Sequence, residues 1–330
     1  MNRRYPASII LIALSTSVSY AGVIDPHFAI DPASPSIDGN ITPDDVLRTG
    51  PAVLQQGTGL ALQDDFFSGF FDNLNALSYG QDPVTRPPPG RDLPIYFSVD
   101  RVAVGVPGSA VHTEAAPGSE EAAGDVFVTS FPGVSGTNNQ FIDEEALGLV
   151  PGFFGDDLDA LELDSYASPY YYFSVDGLSL SLDWTDLWAG TGNGTVYQYA
   201  DGESQIGLHA DDDIDALILF DVNLDNRATP GVDMALFSLS TFSPSTFTYS
   251  GGAYRPGEQG ALSPSDILFT DFTGSFSLWA AAADVGLLAH DELNALDTVS
   301  EPGTWALLAL GLVFLLRMQA QRKFQSGMLA

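Results

Sequence analysis

The chain has no cysteine, and its only lysine is Lys323. The missing cysteine excludes disulfides, thiolate metal sites and cysteine nucleophiles, so stability must come from packing, hydrogen bonds or ions. Basic residues are scarce throughout. Of 11 Lys+Arg, Arg3, Arg4, Arg317, Arg322 and Lys323 lie near the two ends, leaving 6 against 43 acids between Gly22 and Pro302. The formal charge of that region is therefore −37. Such a surface repels phosphates and anionic lipid, which argues against nucleic acid as a partner, and it suits solubility or divalent cations. The four histidines, His27, His112, His209 and His290, share no metal-ligand spacing. There is no phosphate-cradling glycine loop opening onto a helix, no nucleophile elbow and no Cys-His arrangement. Long helical periodicity is confined to the two ends. The interior offers two weak helix candidates, 143–149 and 278–293.

Apolar residues, by contrast, are plentiful. Hydrophobic residues make up 45% and aromatics 11%, enough to build a core and too many for a disordered acidic tail. Glycine (33) and proline (21) punctuate the chain at turn spacing. Runs such as Tyr171-Tyr172-Phe173-Ser174-Val175 and Ala216-Leu217-Ile218-Leu219-Phe220 are bounded by Asp, Gly or Pro and predict strands.

Three patterns recur in order. The first is aromatic-led: Phe28-Ala29-Ile30-Asp31, Phe97-Ser98-Val99-Asp100, Phe173-Ser174-Val175-Asp176 and Phe237-Ser238-Leu239-Ser240. The second is Asp45-Val46-Leu47, Asp125-Val126-Phe127, Thr195-Val196-Tyr197 and Asp266-Ile267-Leu268. The third is Asn73-Leu74-Asn75-Ala76-Leu77, Asp157-Leu158-Asp159-Ala160-Leu161, Asp213-Ile214-Asp215-Ala216-Leu217 and Glu292-Leu293-Asn294-Ala295-Leu296. The last three copies of the third follow Leu147-Gly148-Leu149, Ile206-Gly207-Leu208 and Val285-Gly286-Leu287. The leading phenylalanines are spaced 69, 76 and 64 residues apart, which gives four units of about 70 residues. The interior is thus an all-β domain over 22–299. Because the chain opens on the first pattern and closes on the third, the last copy would complete the unit begun at Phe28. A propeller closes its ring in this way, without exposed edges. A two-sheet sandwich or a β-solenoid also satisfies the strand count. The Asn-Ala or Asp-Ala pairs at 75–76, 159–160, 215–216 and 294–295 are similar to the blade-opening pattern of hemopexin-like four-bladed propellers.

The chain ends read differently. Arg3-Arg4, the apolar Ala7–Val18 and the small residues up to Ala21 form a signal-peptide pattern over 1–21, with signal peptidase cleavage expected after Ala21. At the other end, Ser300-Glu301-Pro302 precedes Trp305, an apolar run to Leu316, and the basic Arg317, Arg322 and Lys323. The run from Gly303 to Leu316 is shorter than the ~20 residues of a full span. Trp305 sits where an interfacial anchor would, and the basic cluster where a cytoplasmic stop would. This 300–330 tail resembles the PEP-CTERM sorting signal recognised by exosortases in Gram-negative bacteria. Glu301-Pro302 matches its core, although Ser300 replaces the first proline and residues follow the basic cluster. The resemblance implies export, a transient inner-membrane stage, processing near Ser300-Glu301-Pro302, and display or release in association with extracellular polysaccharide.

The candidate chemistry is acidic. Asp156, Asp157 and Asp159, and likewise Asp212, Asp213 and Asp215, gather carboxylates at the head of a predicted strand, where hard oxygens suit Ca²⁺. A solvated strand entrance is the plainer alternative. Asp221, Asn223 and Asp225 occupy positions 1, 3 and 5 of a calcium-type loop, but position 12 is Val232 and Asp233 falls one residue late. The aromatic groups Tyr170–Tyr172, Phe66-Phe67 and Phe70-Phe71 suit a core better than a sugar platform. Because the acids follow the repeat rather than one site, the sequence favours a non-enzymatic exported surface or matrix protein. A calcium-dependent carbohydrate-binding module and a carboxylate-dependent glycan hydrolase are the alternatives.

Overall fold

In a computed structural model the residues described are 24–38, 40–65, 70–80, 94–129, 138–163, 170–246 and 262–300. The signal segment with Ala21, and the tail residues Glu301, Pro302, Trp305, Arg317, Arg322 and Lys323, lie outside them. Among the described residues no helix is long and apolar enough to cross a membrane.

The strand-forming runs assemble into four antiparallel four-stranded sheets. Blade A comprises β1 (Ile24–Ile30), β2 (Val46–Arg48) and β3 (Ala52–Gln55), with β18 (Leu293–Ser300) beside β1. A short pair, β4 (Asp64–Asp65) and β5 (Phe70–Phe71), precedes blade B. Blade B is β6 (Leu74–Ser78), β7 (Ile95–Val99), β8 (Val126–Thr129) and β9 (Asn139–Ile142). Blade C is β10 (Leu158–Leu163), β11 (Tyr171–Val175), β12 (Leu187–Gly190) and β13 (Val196–Ala200). Blade D is β14 (Ile214–Phe220), β15 (Met234–Leu239), β16 (Ile267–Thr270) and β17 (Phe276–Ala280). The inner strands β6, β10, β14 and β18 touch one another around an axis. The chain is therefore a four-bladed β-propeller, and the sandwich and solenoid alternatives fall away.

The repeat explains the blades strand by strand. The third pattern is the inner strand and the first pattern is the second strand. The closing strand pairs with the opening one, with Phe28 opposite Leu296 and Ala29 opposite Ala295. The second pattern is the third strand, with one correction. In blade C that strand starts at Asp186-Leu187-Trp188, whereas Thr195-Val196-Tyr197 leads into the outer strand β13. Val196 and Tyr197 mimic the strand chemistry, but they sit half-exposed on the rim.

The inner and second strands of each blade are buried on both faces, so they read as continuous apolar runs rather than alternations. Successive side chains point into opposite walls. Along β14, Leu217 and Leu219 face blade C while Ala216 and Ile218 face blade A. The leading phenylalanines each fill a different inter-blade wall: Phe28 between D and A, Phe97 between A and B, Phe173 between B and C, and Phe237 between C and D. Each such burial contributes about 1.5–3 kcal/mol.

One aspartate set completes every blade. The third strands are headed by Asp45, Asp125, Asp186 and Asp266. The Oδ1 of each accepts the first backbone N–H of the helical turn that follows the outer strand: Gly57 at 3.0 Å, Glu144 at 3.0 Å, Gly202 at 2.9 Å and Ala282 at 2.9 Å. These turns are a 3₁₀ turn at Gly57–Leu60, α1 (Ala110–Glu114) being a separate loop helix, then α2 (Glu144–Leu147), a π turn at Gly202–Ile206, and α3 (Ala282–Val285). A carboxylate at a helix start satisfies an orphan donor and meets the positive end of the dipole. The turns end in the left-handed region at Gly148, Gly207 and Gly286, with φ of 83°, 90° and 87°. The fourth equivalent is Ala61 at φ 60°, so the Leu-Gly-Leu motif was hidden in the first unit by an alanine.

Closure by β18 makes Leu296 equivalent to Leu161, each only 1% exposed. Leu296→Ala is expected to cost ~2–5 kcal/mol, as is Leu161→Ala. Denaturant midpoints check this, and a near-native midpoint for Leu296→Ala alone would show that the ring does not depend on its last strand.

Candidate functional site

The inner strands all begin at one end of the axis, termed the upper face, and the second strands end there. The register places three tiers of four equivalent positions. The first tier, just ahead of the inner strands, is Asn73, Asp157, Asp213 and Glu292. The second is Asn75, Asp159, Asp215 and Asn294. The third, just past the second strands, is Asp31, Asp100, Asp176 and Ser240. Third-tier N–H groups donate to first-tier carbonyls in all four blades: Asp31 to Glu292 at 3.0 Å, Asp100 to Asn73 at 3.3 Å, Asp176 to Asp157 at 3.0 Å and Ser240 to Asp213 at 3.0 Å. Eight of the twelve side chains are carboxylic acids. Among the described residues one guanidinium meets them: Arg101 Nε lies 3.2 Å from Asp157 and Nη2 3.6 Å from Asp176.

Amides interrupt the second tier. Asn75 Nδ2 donates to Asp159 Oδ1 at 2.9 Å, and Asn294 Nδ2 donates to Asn75 Oδ1 at 3.4 Å. Opposite them, Asp215 Oδ2 is buried without a hydrogen-bond partner, as are Asp213 Oδ1 and Asp157 Oδ1. Burial, followed by neighbouring acids, holds the Asp159 and Asp215 carboxyls well above the ordinary carboxylate range. Burial does the same to Asp157 against the opposing pull of Arg101. Burial, then nearby acids, pushes Asp213 to about 8, and burial is the leading cause at Glu292, raised to about 7, and at Asp100, raised to about 6. The raised values favour proton retention in the ring near neutrality. A retained proton relieves the like-charge repulsion.

Four predicted ligands, Asp157, Asp159, Asp213 and Asp215, meet in this ring. Asp156 and Asp212 do not join it, because both of their oxygens are spent on the fold. Asp156 accepts from Val150 N at 2.9 Å and Leu180 N at 2.8 Å, and from the Ser181 hydroxyl. Asp212 accepts from His209 N at 2.8 Å, Ser245 N at 2.9 Å and Ser245 Oγ at 2.7 Å. Asp72 and Asp291 make the same bonds in blades B and A, to Gln63 and Val104 N at 2.6 Å each, and to Leu288 N at 2.7 Å and Ser36 N at 2.8 Å. Each of these aspartates ties the incoming connector to the loop beyond its own blade's second strand. The signal was available, since an aspartate stands before the third pattern in all four units.

Asp221, Asn223 and Asp225 lie in the β14–β15 loop at the opposite, lower face. Asp221 and Asp225 come together with Asp233, one oxygen of each within 4.8 Å of the others. Asn223 is instead used within the loop, donating to Asp225 Oδ2 at 2.9 Å and Thr229 Oγ1 at 3.0 Å. A second compact group, Asp125, Asp143 and Glu144, includes a helix-starting acid. Burial and the adjoining Glu144 push the Asp125 carboxyl up to about 10. Tyr172 is fully buried, in keeping with a core role. Phe66-Phe67 and the Phe70-Phe71 side chains lie outside the described residues. In comparison with known proteins, no family model matches the chain and no curated protein matches it in sequence.

Raised carboxyls reverse the usual pH dependence. The folded ring binds more protons than the unfolded chain between the free carboxylate range and the raised values. Its contribution to stability is therefore largest below that range and is lost as pH rises through about 6, 7 and 8 at Asp100, Glu292 and Asp213. In metal-free buffer the unfolding temperature is expected to fall between roughly pH 5 and pH 8, and Asp213→Asn to raise it at the alkaline end. The shift should be on the order of 2–4 °C for each kcal/mol involved. A midpoint that rises over this range in the parent chain would contradict the assignment.

Proposed function

We propose that this protein is an exported, non-enzymatic surface or matrix propeller, held transiently in the inner membrane from its lower face and presenting its upper face to extracellular polysaccharide. The observation that carries this reading is the separation of the two faces. Ile24 pairs with Ser300, so the segments before β1 and after β18 both leave from the lower face. The acid ring opens on the other. A lipid-inserted tail on one side then leaves the ring facing away from the membrane.

The upper face also carries an apolar crown. Behind each third-tier residue the chain turns, and the N–H two residues on bonds its side chain: Ala33 to Asp31 at 2.6 Å, Val102 to Asp100 at 3.0 Å, Leu178 to Asp176, and Phe242 to Ser240 at 3.2 Å. The turn directs the residue outward, and Val102, Leu178 and Phe242 are 63%, 72% and 81% exposed. Apolar side chains around a cation-holding ring suit a sugar polymer, which offers C–H faces for stacking and oxygens for a divalent ion such as Ca²⁺. Every one of the four units contributes at least one acid to the ring, which favours a binding scaffold over a single carboxylate pair. Signal peptidase and an exosortase-type enzyme are the processing partners in this account, acting at Ala21 and at Ser300-Glu301-Pro302.

Because the chain lacks cysteine, one introduced thiol reports its location. Phe242→Cys in the full chain, made in an exosortase-bearing source cell, is expected to react with a membrane-impermeant maleimide on intact cells or in shed material. Adding Pro302→Ala is expected to hold a larger, tail-bearing form in the membrane fraction. Labelling only after lysis would contradict display. Unaltered mass and distribution with Pro302→Ala would contradict tail processing.

A further inference from the structure

The β14–β15 loop belongs to neither the upper face nor the export signals. Phe220 and Met234 are the last pair of the ladder, so Asp221 and Asp233 flank the neck of the loop. Asp225 is folded back toward them by left-handed residues on both sides, Leu224 at φ 58° and Asn226 at φ 61°. The backbone fixes the carboxylates. Asp233 accepts from Val222 N at 2.9 Å and Thr229 N at 2.7 Å, and Asp225 from Arg227 N at 3.1 Å. Asp221 Oδ2 accepts from Asn226 N at 2.8 Å and from the hydroxyl of Tyr172, in the neighbouring blade, at 3.0 Å.

One atom of this arrangement has no use within the protein. Asp221 is only 6% exposed, and its Oδ1 is buried with no hydrogen-bond donor. No Lys, Arg or His among the described residues forms an ion pair with the three carboxylates. A buried carboxylate oxygen without a donor, beside two further carboxylates, is a costly arrangement unless a cation faces it. Hard, negatively charged oxygens on a partly exposed loop, leaving room for backbone or water oxygens, match Ca²⁺ better than the rigid octahedron of Mg²⁺.

We propose that Asp221, Asp225 and Asp233 form a Ca²⁺ site that locks the seam between blades C and D. The ion holds the loop, and Asp221 passes the restraint to Tyr172. Tyr172 packs edge-on against Tyr199, with ring centroids 5.0 Å apart, inside the core shared by the two blades. This site does not depend on export or on the axial ring.

Tb³⁺ replaces Ca²⁺ in such sites, and a nearby tyrosine sensitises its emission. The experiment titrates the purified full chain with Tb³⁺, exciting tyrosine, and then competes with Ca²⁺. The expected result is sensitised emission that Ca²⁺ reverses at or below ~1 mM. Asp225→Asn, an exposed position, should weaken binding by about tenfold or more without lowering the metal-free unfolding temperature. Asp213→Asn in the axial ring should change neither the emission nor the Tb³⁺ titration midpoint. No sensitised emission, a midpoint unmoved by Asp225→Asn, or a signal that follows Asp213→Asn would each overturn the proposal.

Discussion

The antiparallel pairing of β18 with β1 is the constraint on which the rest depends. Four inner strands must converge on one axis, and a chain that begins with a second strand can supply only three before its last segment. The fourth arrives from the end of the domain and is held by the ladder from Ile24–Ser300 to Ile30–Leu293. That closure joins the longest separation in sequence to the shortest in space. It gives the blade A walls their second face, and it pairs β18 with a second strand just as β6, β10 and β14 are paired. It also sends both flanking segments out on one side and leaves the acidic strand starts on the other.

A chain with 43 acids and almost no counter-ions would seem a poor candidate for a dry core. The fold resolves this by treating most repeated aspartates as backbone acceptors. One set begins the helical turns and another ties connectors to loops, and both recur in all four blades. N–H groups supply the compensation that lysine and arginine would otherwise give, at roughly 1.5–3 kcal/mol for a bond to a charged partner. Among the described residues, buried carboxylate oxygens without a donor include those of Asp157, Asp213 and Asp215 in the axial ring, of Glu144 beside Asp125, and of Asp221 in the β14–β15 loop. Positions where the four units agree thus serve the fold. Positions where they differ, such as Asn75 against Asp159, carry the chemistry that distinguishes one side of the axis from the other.

The legible part of the sequence was the buried part. The inner and second strands are enclosed on both faces, so packing imposes the same residue types four times and the pattern repeats visibly. The outer strands are half-exposed, packing constrains them less, and no repeat marked them. For that reason Val196-Tyr197 passed for a third strand while Asp186-Leu187-Trp188 did not. Acid clusters marked the axial ring, but sequence could not separate Asp156 from Asp157, because adjacent residues point opposite ways and only the register tells which finds N–H donors. Asp233, one residue late for a calcium-type loop, was set aside for a related reason. Its role comes from facing Asp221 across the ladder, a relation set by strand pairing rather than by distance along a loop.

The claim at the centre of this account is that the buried axial carboxyls are poised to take up a proton or a cation near neutral pH. It is tested most directly by following individual Asp and Glu carboxyls by isotope-edited NMR through a pH titration of the metal-free protein. The account predicts groups titrating near 6, 7 and 8, assignable to Asp100, Glu292 and Asp213 from their amide variants, and displaced when Ca²⁺ is added. Titration of every carboxyl below about pH 5, indifferent to Ca²⁺, would contradict it and leave the ring a solvated surface.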